Sequence, residues 1–146
     1  MFKVGIIGVG YVGSIHLEKF SCIDGVCITA IADVDSAKVR EAKLKFNVKS
    51  TYSDHRSLLE KADLDLVVIC VANHLHHDLT IEALELGHNV LCEKPISMLP
   101  KEAEELAQKI VSLGMTVKDT AKSNKPTRTK HKVNSKNRDL LNIEEE

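Results

Sequence analysis

The chain has 146 residues, 43% of them apolar, with a formal net charge of −1 and four cysteines. That is the size of one domain with enough apolar side chains for a core. The near-neutral balance gives no sign of the basic surface of a nucleic-acid or membrane binder. Cys22, Cys27, Cys70 and Cys92 form no C-x-x-C pair and read as free thiols of a cytoplasmic protein.

The N-terminal MFKVGIIGVG is too short and too broken by glycine to be a membrane span or a signal peptide. KVGIIG (3–8) predicts a strand, and YVGSIHLEKF after it has the apolar spacing of a helix. VCITAIAD (26–33) is a second strand, followed by a charged helix that Asp35 is placed to cap. A short strand around VKSTY and a helix near DHRSLLEKA come next. LDLVVICVA (64–72) hardly alternates, which predicts a strand buried on both faces. HHDLTIEALELG is an amphipathic helix closed by Gly87, and HNVLCE a fifth strand. LPKEAEELAQKIVSLG is a last helix and MTVK a sixth strand. Strands and helices in this alternation predict an α/β fold: a Rossmann-type, doubly wound parallel sheet of about six strands with helices on both faces. Residues 1–118 form this domain, and 119–146 are a basic, polar tail too poor in apolar residues to bury a core, which predicts disorder.

Gly8, Gly10 and Gly13 form a G-x-G-x-x-G turn between the first strand and the first helix. In that setting Gly8 permits a tight turn, Gly10 lets a pyrophosphate approach the backbone, and Gly13 allows close helix–strand packing. Amides of the following residues, Tyr11 and Val12 among them, face the anion. Asp33 ends the second strand about twenty residues on, where an acid receives the adenosine ribose and repels a 2′-phosphate. No arginine follows it directly, which favours NAD over NADP.

His74, His76 and His77 follow the fourth strand with a spacing that fits neither a helical metal pair nor a structural zinc site, so no metal is expected. Asn73 reads as a turn residue on the cofactor side, with Val71 and Ala72 before it and one histidine packed nearby. His16 reads as a packing or surface residue. Glu93-Lys94-Pro95 stops the fifth strand on the same carboxyl edge. A lysine there sets an ammonium beside the nicotinamide and a bound hydroxyl.

GVGYVGSIH, IADVD, NHLHH and LCEKPIS, in this order, resemble the N-terminal domain of the Gfo/Idh/MocA family, the glucose-fructose oxidoreductase and inositol dehydrogenase type, over about residues 2–118. The resemblance implies that Lys94 contacts substrate and tunes the catalytic centre, that Glu93 lies by the nicotinamide ribose, and that Asn73 and His76 are the family's loop Asn and His. It also implies a cis Lys94–Pro95 bond. Val71-Ala72 stands where the family's loop has Thr-Pro. Family members continue into a second, largely antiparallel domain that forms the substrate pocket and supplies an acid/base histidine. The tail after Lys118 encodes no such domain, and it reads as a truncation, a shifted reading frame or an engineered boundary.

Two functions follow as expectations. One is the cofactor-binding part of an oxidoreductase acting on a sugar or cyclitol hydroxyl. The other is a stand-alone dinucleotide-binding module without activity. A methyltransferase would leave Lys94 without a purpose. An isolated chain of this kind should bind NAD, turn over no polyol, and self-associate through the surface left bare.

Overall fold

The computed structural model describes residues 1–118. Its elements are β1 (Phe2–Ile7), α1 (Tyr11–Ser21), β2 (Val26–Ala32), α2 (Ser36–Phe46), β3 (Ser50–Tyr52), α3 (His55–Lys61), β4 (Leu66–Ile69), a 3₁₀ turn (Asn73–Leu75), α4 (His76–Glu85), β5 (Val90–Cys92) and α5 (Pro100–Ser112). All strand pairs are parallel, in the order β3-β2-β1-β4-β5. The chain first builds outward from β1 through β2 to β3, then crosses to β4 on the other side. The reversal lies between β1 and β4, the position where open α/β sheets hold their ligands.

The core has two layers because strand side chains alternate. Val4 and Ile6 of β1 pack with Leu17 of α1 and Ala42 of α2 on one face, and Ile7 packs with Leu58 of α3 and Leu79 and Ala83 of α4 on the other. In β4, Val67, Val68 and Ile69 are all fully buried, so this strand is covered on both faces as its unalternating sequence predicts. Cys70 joins the first layer and Cys92 the second, which puts these thiols on opposite faces of neighbouring strands.

Local chemistry sets the helix ends. The Asp35 carboxylate accepts the amides of Ala37 and Lys38 at the start of α2, and Asp54 accepts the amide of Ser57 at the start of α3. Before α5, Glu102 reaches back to accept the amides of Met98 and Leu99.

The described residues contain five strands, and the expected sixth over residues 115–118 is absent. The amides that would begin it close α5 instead: Gly114 donates to the Val111 carbonyl and Met115 to that of Ile110. Val117 lies exposed, with no apolar face to bury. The tail beyond Lys118 lies outside the described residues.

Candidate dinucleotide site

Ladder hydrogen bonds bring four strand ends to one edge. Gly8 donates to the Ala32 carbonyl at 2.8 Å, Cys70 to Ile7 at 2.8 Å, and Glu93 to Ile69 at 3.0 Å. The glycine turn, Asp33, the Val71–Asn73 segment and Glu93-Lys94 therefore share this edge.

The three glycines are glycine for different reasons. Gly8 has φ +90°, and a Cβ on it would stand 2.5 Å from the Cys70 carbonyl oxygen. A Cβ on Gly13 would fall onto the Gly8 carbonyl, 2.9 Å from its carbon and closer still to its oxygen. α1 thus rests directly on the turn it leaves. Gly10 has an ordinary φ of −70°, and a Cβ there would meet nothing within 4 Å. Folding alone does not require a glycine at that position. The open space adjoins the amides of Tyr11, Val12 and Gly13, which as the first residues of α1 have no intrahelical acceptor, and Gly10 supplies no capping side chain. The first helical bond runs from Ser14 to the Gly10 carbonyl. The side chains of Tyr11 and Val12 are exposed.

Asp33 stitches this turn to β2. One carboxylate oxygen accepts the Val9 amide at 2.8 Å and the other the Asp35 amide at 2.9 Å. Each oxygen keeps a lone pair for a further donor. Beside it lies a hollow of about 310 Å³ whose lining includes Val34, Ser36, Arg40 and Lys43. Sequence reasoning considered arginines directly after Asp33, whereas one turn of α2 brings Arg40 into the same hollow. A larger hollow of about 520 Å³, lined by Arg56, Glu60, Ile81, Glu82 and others, includes none of the strand-end residues.

Val71 is half-buried, and Ala72 and Asn73 are exposed on the segment that leads into the 3₁₀ turn, closed by the Leu75 amide on the Ala72 carbonyl. His76 is set apart from them. It is 1% exposed, with Nδ1 2.7 Å from the Pro95 carbonyl oxygen and Nε2 3.0 Å from that of Val71. Its ring ties the end of β4 to the chain beyond β5 and faces no open space. His77 turns to Asp78, with Nδ1 2.8 Å from its carboxylate. Among the described residues no group of three or more His, Cys, Asp or Glu is arranged to hold a metal ion, and no helix is long and apolar enough to cross a membrane.

Lys94 is exposed and precedes a cis Lys94–Pro95 bond. Its neighbour Glu93 is engaged by a residue that the sequence reading left aside. His16 Nε2 lies 2.7 Å from Glu93 Oε1, and the His16 ring stacks on Phe20 with centroids 6.0 Å apart. The hydrogen bond from His16 is the main cause that holds the Glu93 carboxyl below the usual glutamate range, against the opposing effect of burial. The one local signal was that His16 follows Gly13 by three residues, which sets it on the helix face that meets the sheet. Burial pushes the Cys70 thiol up to about 12, and it raises Cys92 as well.

The sequence model of the Gfo/Idh/MocA oxidoreductases, described as an oxidoreductase family with an NAD-binding Rossmann fold, matches residues 2–119. The chain belongs to the Gfo/Idh/MocA family. Among Gfo/Idh/MocA relatives, the myo-inositol 2-dehydrogenase of Thermotoga maritima is 36% identical over 96 residues, covering 66% of this chain and 29% of the relative. The inositol 2-dehydrogenase/D-chiro-inositol 3-dehydrogenase of Lactiplantibacillus plantarum is 30% identical, covering 77% and 33%. The scyllo-inositol dehydrogenase of Lactobacillus casei, solved with bound NAD(H) and scyllo-inositol, superposes with a TM-score of 0.74 at 29% identity, covering 77% of this chain and 34% of that one. The chain thus spans about a third of the length of the curated relatives it matches.

Proposed function

We propose that residues 1–118 are the cofactor-binding domain of an NAD-dependent dehydrogenase that acts at a hydroxyl-bearing carbon of a sugar or cyclitol. The observation that carries this reading is the space at Gly10, empty to 4 Å beside three free helix amides, in a turn whose other two glycines are required by packing. A diphosphate suits that space, since the amides of Tyr11, Val12 and Gly13 are the unpaired donors of a helix N-terminus and the helix dipole adds to their field.

Asp33 receives the adenosine ribose with its remaining lone pairs, and its charge opposes a 2′-phosphate. Val71, Ala72 and Asn73 line the middle of the site. Glu93 offers acceptors to the second ribose. His76 acts through its two carbonyl partners and fixes the Val71 and Pro95 segments without touching the ligand. NAD, when bound, supplies the acceptor for a hydride. Lys94 then sets its ammonium where the substrate hydroxyl becomes more negative, and a positive charge fixed in place beforehand needs no reorganisation during the reaction. Sugar or cyclitol chemistry is inferred from what the inositol dehydrogenases among the relatives act on.

The test is a fluorescence titration of the protein with NADH and with NADPH. Saturable binding of NADH, tighter than that of NADPH, is the expected result. Absence of saturable binding of either nucleotide overturns the assignment, and equal or tighter binding of NADPH overturns the role given to Asp33, with Arg40 as the group responsible.

A further inference from the structure

The contact between His16 and Glu93 joins residues 77 positions apart, from the middle of α1 to the end of β5. It exists because Gly13 lets α1 lie against the turn, which lowers the next helical turn toward the strand ends. The His16 side chain is 20% exposed and that of Glu93 27%, so both are largely shielded from water without being sealed. Stacking on Phe20, four residues later on the same helix face, fixes the plane of the ring. The second Glu93 oxygen receives the Lys94 backbone amide at 3.3 Å. Besides His16, the group whose charge bears on Glu93 is Lys94. Among the described residues the Lys94 side chain has no carboxylate partner, because the acid next to it in sequence is turned toward α1.

A carboxylate beside a lysine at an open edge has an evident alternative, which is to close on the ammonium. That pair would occupy both groups, removing acceptors from a ribose and a charge from a substrate hydroxyl. We propose that His16 is a positioning residue that holds Glu93 on α1 and thereby keeps the Lys94 ammonium unpaired. The proposal rests on the dehydrogenase reading for its purpose, but its physical content is a choice of partner by Glu93 and is measurable with no ligand present.

The experiment measures the acetylation rate of Lys94 by an N-hydroxysuccinimide ester, followed by peptide mass spectrometry, in the full chain and in His16→Leu, His16→Gln and Glu93→Gln. In His16→Leu the carboxylate turns to Lys94 and ties its side chain into an ion pair, which shields the nitrogen from the ester. Exposed ion pairs are worth about 0.2–1 kcal/mol, so the rate falls up to about fivefold. His16→Gln keeps an N–H donor near the position of Nε2 and restores the wild-type rate. In the Glu93→Gln background, His16→Leu has no effect on Lys94. Equal rates in wild type and His16→Leu overturn the proposal, as does a His16→Gln rate as slow as that of His16→Leu. A slow rate that persists in His16→Leu/Glu93→Gln also overturns it, since the effect then does not pass through Glu93. NADH titration of the same proteins is read separately. Failure to bind NADH, with the Lys94 rates as expected, would sink the dehydrogenase reading and leave the positioning role standing.

Discussion

Alanine at Gly10 and at Gly13 separates what the turn does for the fold from what it does for a ligand. At Gly13 the added methyl meets the main chain of Gly8, which cannot step aside as the end of a side chain can. Overpacking costs about 1–3 kcal/mol, and a backbone clash belongs at the upper end. Alanine recovers about 0.8–1 kcal/mol over glycine inside a helix. The packing term wins, by about 2 kcal/mol. For a domain of this size about 4 °C of melting temperature goes with each kcal/mol, so Gly13→Ala should melt about 8 °C lower. At Gly10 the methyl enters open space at an unstrained φ. Alanine is a poorer N-cap than glycine by about 0.5–1 kcal/mol, a fall of at most about 4 °C. In the proposed site the same methyl stands where the phosphate approaches, and at least a tenfold weaker NADH affinity, about 1.4 kcal/mol, is expected. Thermal unfolding by circular dichroism and NADH fluorescence titration, run on the three proteins, read the two effects separately. A Gly10→Ala protein that binds NADH like wild type would remove the turn from the site, and an undisturbed Gly13→Ala would show that α1 does not rest on Gly8.

Asp33→Ala should narrow the preference for NADH over NADPH, since Arg40 and Lys43 already line the adjoining hollow; an unchanged ratio in paired titrations would place specificity elsewhere. The same variant strands the buried Val9 amide without its acceptor, and urea denaturation should show a loss of about 1–3 kcal/mol. The carboxyls of Glu82, lowered chiefly by its hydrogen bond from Arg56, and of Glu93, lowered chiefly by His16, ionise more readily folded than unfolded. Their stabilisation is therefore complete above the ordinary glutamate value of 4.5 and vanishes as pH falls through the lower folded values. Urea midpoints measured from pH 6 to 3 should drop below about 4.5, less steeply in Glu82→Gln, and identical slopes would refute that assignment. With burial keeping the thiols of Cys70 and Cys92 protonated and Cys22 exposed, iodoacetamide at pH 8 should label Cys22 first, and comparable labelling of Cys70 in native protein would contradict its burial.

What the sequence made legible was local. The strand–glycine turn–helix unit and the Asp35 cap depend on residues a few positions apart, and the unbroken apolar run of β4 depends on its own composition. Asp33 was legible because the length of a βα unit fixes where a second strand ends. The contacts that were not legible act over long separations. His16 meets Glu93 only because α1 settles onto Gly8, and His76 is enclosed only because the chain beyond β5 returns over the end of β4. Arg40 shares the hollow of Asp33 through the pitch of a helix, which adjacency in sequence does not reveal. The sixth strand failed for the opposite reason: a local competitor, the end of α5, took the Met115 amide first.

The unequal space around the three glycines bears on how the history of such a chain can be read. Gly8 and Gly13 are restrained by the fold itself, since a side chain at either one meets main chain, and Asp33, tied to the Val9 and Asp35 amides, is restrained in the same way. On the proposed function, Gly10 would be released in a lineage that no longer bound a dinucleotide, because a small residue fits its backbone at modest cost. A homologous domain that had become a mere scaffold would lose this residue first, while its neighbours went on resembling an intact motif.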